Sequence, residues 1–262
     1  MTEKRRTYET VPIPRVRLPV IDSLAQGRRM SPMHLLLEVD VTDTRHAIRD
    51  YRRRAGEPLS LTSYLTWCLA RTVDEDRVVQ AYRRGRKLVI ATDVDVSVIM
   101  EREIGDEKAP LFPYIVKAAN RKTPVEIQRE IRAAQTADAG PSRASRWLNL
   151  YWYLPGFVRS LLWSILLRSP TWRMKLTGTV ALSAVGMFGA GAGWGIPVPT
   201  YTLSITVGGI SEKPGIVNGQ TATREYLCLS ISIDHNVVDG APAARFARRF
   251  KDLVESARGL KE

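Results

Sequence analysis

The sequence predicts an α+β domain built on a mixed β-sheet with flanking helices, and three observations carry that reading. Strand-like and helix-like segments are interleaved without the strict alternation of a doubly wound parallel sheet. Residues 227–234 alternate with period two: Leu227, Leu229, Ile231 and Ile233 take one face, and Cys228, Ser230, Ser232 and Asp234 the other. An amphipathic helix follows, with Ala243, Phe246, Ala247, Phe250, Leu253, Val254 and Ala257 on one face. At 262 residues, 44% of them hydrophobic, the chain is long enough to bury a sizeable core.

Residues 1–30, rich in proline and arginine, read as an extended arm ahead of a domain spanning 31–262. A strand at 33–41 leads to a helix from about 43 to 55, capped by Thr42 or Asp43. Gly56-Glu57-Pro58 breaks it. Leu59 to Asp74 reads as a second helix, started by Ser60 or Thr62. Lys87–Ile90 and Asp95–Glu101 read as strands, Glu103–Lys108 as a charged turn, and Leu111–Val116 as a further strand. Thr123 opens a helix to Ala134, with Pro124 at the first position, where a missing N–H costs nothing. Tyr201–Ile210 is another strand.

Net charge is +12, carried mostly by arginine. Such a chain suits an anionic partner, and no nucleic-acid motif accompanies the charge. Cys68 and Cys228 form no disulfide framework and read as small buried hydrophobes, which favours a reducing cytoplasm. No apolar core follows the charged N-terminus, so a secretory signal is not expected. The three histidines and two cysteines are scattered without metal-ligand spacing, so no metal is expected, and His34 and His46 read as structural.

The chemistry concentrates at Asp234-His235-Asn236-Val237-Val238-Asp239-Gly240. His235 sits on a turn between a strand and a helix, where a general base can be aimed, and Asp239 stands where a helix N-cap belongs. Upstream lie Gly178-Thr179-Val180-Ala181-Leu182-Ser183, then Gly186-Met187-Phe188-Gly189, then Ile196-Pro197-Val198-Pro199-Thr200. In this order and spacing the segments resemble the catalytic domain of the acyltransferase component of 2-oxoacid dehydrogenase complexes, over roughly residues 15–136 and 176–258.

The resemblance implies a chloramphenicol acetyltransferase-like fold, one copy per chain, assembled as a homotrimer with the active site between subunits. It implies His235 as base and Ser183, 52 residues upstream, as donor to the oxyanion. Coenzyme A or acyl-CoA would be the substrate. Asp239 would fix the turn by pairing with Arg28 or Arg29, and Gly240 would permit close backbone approach. Asn236 stands where the family carries arginine, which places the local salt-bridge network in question. No lipoyl-lysine hairpin is visible, so a lipoyl or other carrier would act in trans. The polar C-terminal segment predicts a free trimer.

One further segment departs from the resemblance. Residues 147–167, inside an apolar aromatic insert at about 145–172, read as two short helices broken at Pro155-Gly156. Arg159 near the middle argues against a membrane span, at a cost of at least about 2.5 kcal/mol. Packing on the domain or a neighbouring subunit, a lid or acyl-chain channel, and interfacial membrane contact are the three uses the composition allows. Two functions therefore stand: a CoA-dependent acyltransferase with a thiol, hydroxyl or amine acceptor, and a non-catalytic trimeric scaffold that retains the fold.

Overall fold

A computed structural model of the chain describes residues 8–14, 17–28, 30–104, 107–136, 151, 153–184 and 191–260. Its frame is a six-stranded mixed sheet formed by β1 (Pro32–Asp40), β4 (Val96–Ile104), β5 (Glu107–Val116), β6 (Val180–Ala184), β7 (Leu203–Val217) and β8 (Gln220–Asp234). The order is β1-β8-β7-β6-β4-β5, with β6 parallel to both β4 and β7 and the other pairs antiparallel. β2 (Tyr82–Arg84) and β3 (Lys87–Val89) form a separate hairpin.

The helices α2 (Thr42–Ala55), α3 (Leu61–Glu75), α4 (Pro124–Thr136) and α7 (Gly240–Glu255) supply the apolar cover of the sheet. Tyr64, Leu65, Leu69, Ile127, Phe246 and Phe250 meet Leu182, Leu203, Ile205, Leu227 and Leu229 in one continuous core. Area removed from water at about 25 cal/mol per Å² makes this cluster the main stabilising term. Both cysteines are buried and free, as expected, and burial pushes the Cys68 thiol well above its ordinary pKa.

Local chemistry sets the helix starts. The Ser60 hydroxyl accepts from Ser63 N at 3.1 Å, so Ser60 caps α3. Thr123 and Glu126 form a reciprocal capping box at the start of α4. The start of α2 differs from the sequence reading. Val41 is its N-cap, and Asp40 accepts from the Thr42 amide and hydroxyl at 3.0 and 2.7 Å.

Three larger differences appear. Within the expected extended arm, Arg17–Gly27 forms a helix, α1. Its Pro19 lies in the first turn, where proline removes no intrahelical hydrogen bond. β7 and β8 run far beyond residue 210 as a hairpin closed at Asn218-Gly219, both with positive φ (51° and 80°). Finally, the helix expected after the break at Pro155-Gly156 is present, and a further helix beyond residue 167 follows it. Pro155 precedes α5 (Gly156–Arg168), and α6 (Pro170–Thr177) follows. Residues 147–150 and Trp152 lie outside the described residues. Among the described residues, no helix is long and apolar enough to cross a membrane.

α5 is fastened to α1. Arg159 Nε donates to Asp22 Oδ2 at 2.9 Å, Tyr151 Oη also donates to Asp22, and Trp163 Nε1 donates to Tyr151 Oη at 2.8 Å. Burial, and then the Asp22 bond, push the Tyr151 phenol up to about 12. The opposite side presents Tyr153, Phe157, Leu161 and Ile165 to solvent at i, i+4, i+8 and i+12.

Residues 191–200 cross β7 closely at the bulge between Val207 and Ile210. Gly209 N donates to Gly193 O at 3.0 Å, and a Cβ on Gly209 would lie 1.8 Å from the Gly191 carbonyl oxygen. Gly209→Ala is expected to destabilise the fold by about 1–3 kcal/mol through overpacking against backbone. In a thermal melt Tm should fall by several degrees. Gly193→Ala, with nothing within 4 Å of the added carbon, should melt like the parent.

Candidate active site at the turn after β8

β8 delivers His235 to the surface. The strand enters antiparallel between β1 and β7, and Asp234 N donates to Thr202 O at 2.8 Å. His235 N donates to Ser31 O at 2.8 Å, which holds the histidine backbone against the start of β1. The side chain stays 52% exposed, so it remains available to an incoming group.

The turn is organised by Asp234, a residue to which the sequence reading gave no role. Its buried carboxylate accepts from Ser31 N at 2.9 Å, Asn236 N at 3.2 Å and Asn236 Nδ2 at 2.9 Å, all on Oδ1. The Asn236 side chain thus adds one neutral donor, Nδ2, to the backbone N–H groups that hold Asp234. Its amide also lies 3.3 Å from Ser31 Oγ.

Asp239 is placed differently from expectation. It occupies the N-cap position of α7, yet its side chain makes no cap hydrogen bond. The carboxylate is 85% exposed, with Oδ1 3.8 Å from His235 Nδ1, beyond hydrogen-bond reach. No described arginine pairs with it. Arg28 is exposed and makes no ion pair among the described residues, and Arg29 lies outside them. The physical reason is that Asp234 already satisfies the donors of the turn. Gly240 has open space beside it, so no group among the described residues exploits its missing side chain.

Ser183 lies on β6 as expected, while Gly186-Met187-Phe188-Gly189 lies outside the described residues. Ser183 pairs with Thr206 of β7, which pairs with Ser230 of β8, so the three share one face of the sheet. That face carries a row of hydroxyls, of which Ser97, Ser204, Thr206 and Ser230 are buried without partners among the described residues. The same register separates Ser183 from His235. The histidine stands five residues beyond Ser230 and two strands across from β6, which strand spacing converts to roughly 20 Å. One acyl group cannot touch both residues of a single protomer. The other two histidines have structural settings: His34 Nδ1 lies 2.8 Å from Ser232 Oγ, and His46 is on α2.

A cavity of about 920 Å³ opens beside the turn, bounded by Asp234 and Asn236 at one end and by α5, α6 and the β2–β3 hairpin at the other. No group of three or more metal-ligating side chains occurs among the described residues.

The site is thus a mixed sheet, covered by α2, α3, α4 and α7, with a histidine on the turn after β8. The chain belongs to the family of 2-oxoacid dehydrogenases acyltransferase (catalytic domain), whose model matches residues 5–142 and 175–261. The unmatched interval contains most of α5 and α6. The chain is 23% identical over 253 residues to the lipoamide acyltransferase component of the branched-chain alpha-keto acid dehydrogenase complex of Bacillus subtilis, covering 94% of this chain and 52% of that protein. It thus spans about half the length of the curated relatives it matches.

Two solved structures share the fold. A probable dihydrolipoamide acetyltransferase from Listeria monocytogenes superposes with a TM-score of 0.70 at 21% identity, covering 95% of each chain. A dihydrolipoamide acetyltransferase of Azotobacter vinelandii gives 0.72 at 17% identity, covering 99% of this chain and 96% of that one. The latter was solved to investigate a serine, a histidine and an asparagine in its catalytic mechanism, which stand 52 and 4 residues apart.

Removing the Asp234 carboxylate leaves Ser31 N and both Asn236 donors without their acceptor. Asp234→Ala should cost about 1–3 kcal/mol in chemical denaturation. Asp234→Asn should cost less, because its amide oxygen can still accept.

Proposed function

We propose that the chain is a CoA-dependent acyltransferase acting by direct transfer, with His235 as general base and Ser183 as oxyanion donor. The observation that carries the reading is the placement of His235, exposed on a turn that Asp234 and Ser31 hold rigidly. Ser183, His235 and Asp239 also repeat the 52- and 4-residue intervals of the residues studied in the Azotobacter vinelandii protein.

In this reading His235 Nε2 accepts the proton of an acceptor thiol, hydroxyl or amine as that atom attacks the thioester carbonyl. The Ser183 hydroxyl donates to the resulting oxyanion. Collapse breaks the carbon–sulfur bond, and the imidazolium returns the proton to the leaving CoA thiolate. Asp239 stabilises the imidazolium from the Nδ1 side. Because the two residues of one protomer lie too far apart, His235 of one copy works with Ser183 of the next, which calls for a homotrimer.

A lipoyl group is the acceptor this family membership favours, and a cytoplasmic location fits the two free thiols.

Thiol release from a panel of acyl-CoAs with dihydrolipoamide tests the reading. His235→Ala should lower kcat by about 10²–10⁴, and Ser183→Ala by about 10²–10³. Turnover unaffected by His235→Ala would overturn the assignment, and silence across the panel would favour the non-catalytic scaffold. Light scattering should give three times the 29.4 kDa chain mass. A monomer that still turns over would remove the shared site, and a mass near 24 copies would correct the free trimer. Mixing inactive His235→Ala and Ser183→Ala proteins under exchange should restore part of the activity.

A further inference from the structure

The insert helices carry two features that acyl transfer does not use, an exposed apolar face and a run of uncompensated positive charge. On α5, Phe157, Leu161 and Ile165 stand at i, i+4 and i+8 and are 76%, 59% and 54% exposed. Trp172 and Leu176 of α6 repeat the spacing and are also exposed. No residue of either helix is fully buried, so both lie on the outside of the domain. Five large apolar side chains on two consecutive helices thus stand in water, a cost that a partner surface would remove.

The charge around them has one sign. Between Asp138 and Glu212 the sequence has no acidic residue, while Arg143, Arg146, Arg159, Arg168, Arg173 and Lys175 contribute six positive charges, half of the net +12. Arg159 is bonded to Asp22, whereas Arg168 and Lys175 are exposed. Lys175 Nζ lies 5.8 Å from the centre of the Trp172 ring, so a cation and an aromatic ring are presented together. The family model leaves residues 143–174 unmatched, so most of these features belong to an addition to the acyltransferase core.

We propose that α5, with α6 beside it, docks the protein on the surface of an anionic lipid bilayer. Phe157, Leu161, Ile165 and Trp172 enter the headgroup boundary, and Arg168 and Lys175 meet the charged headgroups. Neither helix is long and apolar enough to cross a membrane, so the contact is interfacial. Apolar burial and attraction to anionic lipid act together in this mode, and each basic residue near the surface adds about fivefold to the partition. A second copy docking through the same face fits worse, because it would bring the same positive charges with no acidic residue to answer them. A protein partner would need a groove shaped to the α5 ridge, whereas a bilayer receives it without one.

Flotation of the full chain with vesicles of phosphatidylcholine and phosphatidylglycerol, beside vesicles of phosphatidylcholine alone, tests the proposal. It needs no turnover, so its failure is distinct from failure of the acyl-transfer reading. The parent should float with the anionic vesicles and roughly tenfold more weakly with the neutral ones. Phe157→Ser combined with Ile165→Ser, at exposed positions away from the arginine-lined cavity, should weaken binding by roughly tenfold at unchanged charge. Lys175→Gln should weaken it about fivefold. Arg248→Gln, the same change of charge on the exposed face of α7, should leave it within about twofold. Excess coenzyme A should not release the protein from the vesicles. No binding by the parent, full binding by the double variant, a loss in Arg248→Gln equal to that in Lys175→Gln, or release by coenzyme A would each overturn the proposal. A changed oligomeric mass of the double variant in light scattering would overturn it in favour of a second copy.

Discussion

The Asp234 carboxylate is the constraint on which the site depends. One oxygen gathers the first amide before β1, the amide after the histidine and the side chain of Asn236. The Asp234 amide meanwhile donates to Thr202, just ahead of β7. Three separate stretches of chain are therefore referenced to a single residue. His235 inherits its position from that junction, through backbone bonds that leave its ring free. A buried carboxylate is tolerated there because its neighbours supply hydrogen bonds in place of water.

Much of this was legible in the residues. The alternation in 227–234 and the apolar face of α7 reflect burial, which leaves a periodic mark on sequence. Ser60 and Thr123-Pro124 declared their helix starts through local chemistry. Other features were hidden for physical reasons. The prolines ahead of and within α1 suggested extension, although a first turn accepts proline. Asn218-Gly219 carries a turn signal of its own, and it closes the hairpin that extends β7 to Val217 and starts β8 at Gln220. Asp239 looked like the organiser because the motif repeats it after the histidine, whereas the work falls to Asp234, five positions earlier. Which aspartate is buried is a tertiary fact. So is the separation of Ser183 from His235, which emerges only when strand register is added to spacing.

The insert illustrates how a family core acquires new surface. Among the described residues, one ion pair and a short chain of hydrogen bonds seat α5 on α1. Its inner side closes a charged cavity, and its outer side leaves an apolar stripe in water. These two sides differ in character: one is lined by guanidinium groups and the other by exposed aromatic and aliphatic side chains.

Asn236 in the arginine position has a consequence of its own. Neutral donors hold Asp234, so the geometry of the turn is nearly indifferent to ionic strength, which screens charges far more than it weakens amide hydrogen bonds. The arginine-lined cavity is not indifferent. Salt thus becomes a means of separating recognition from scaffold in this molecule: a response to added electrolyte reports on what approaches the protein, not on the frame that receives it.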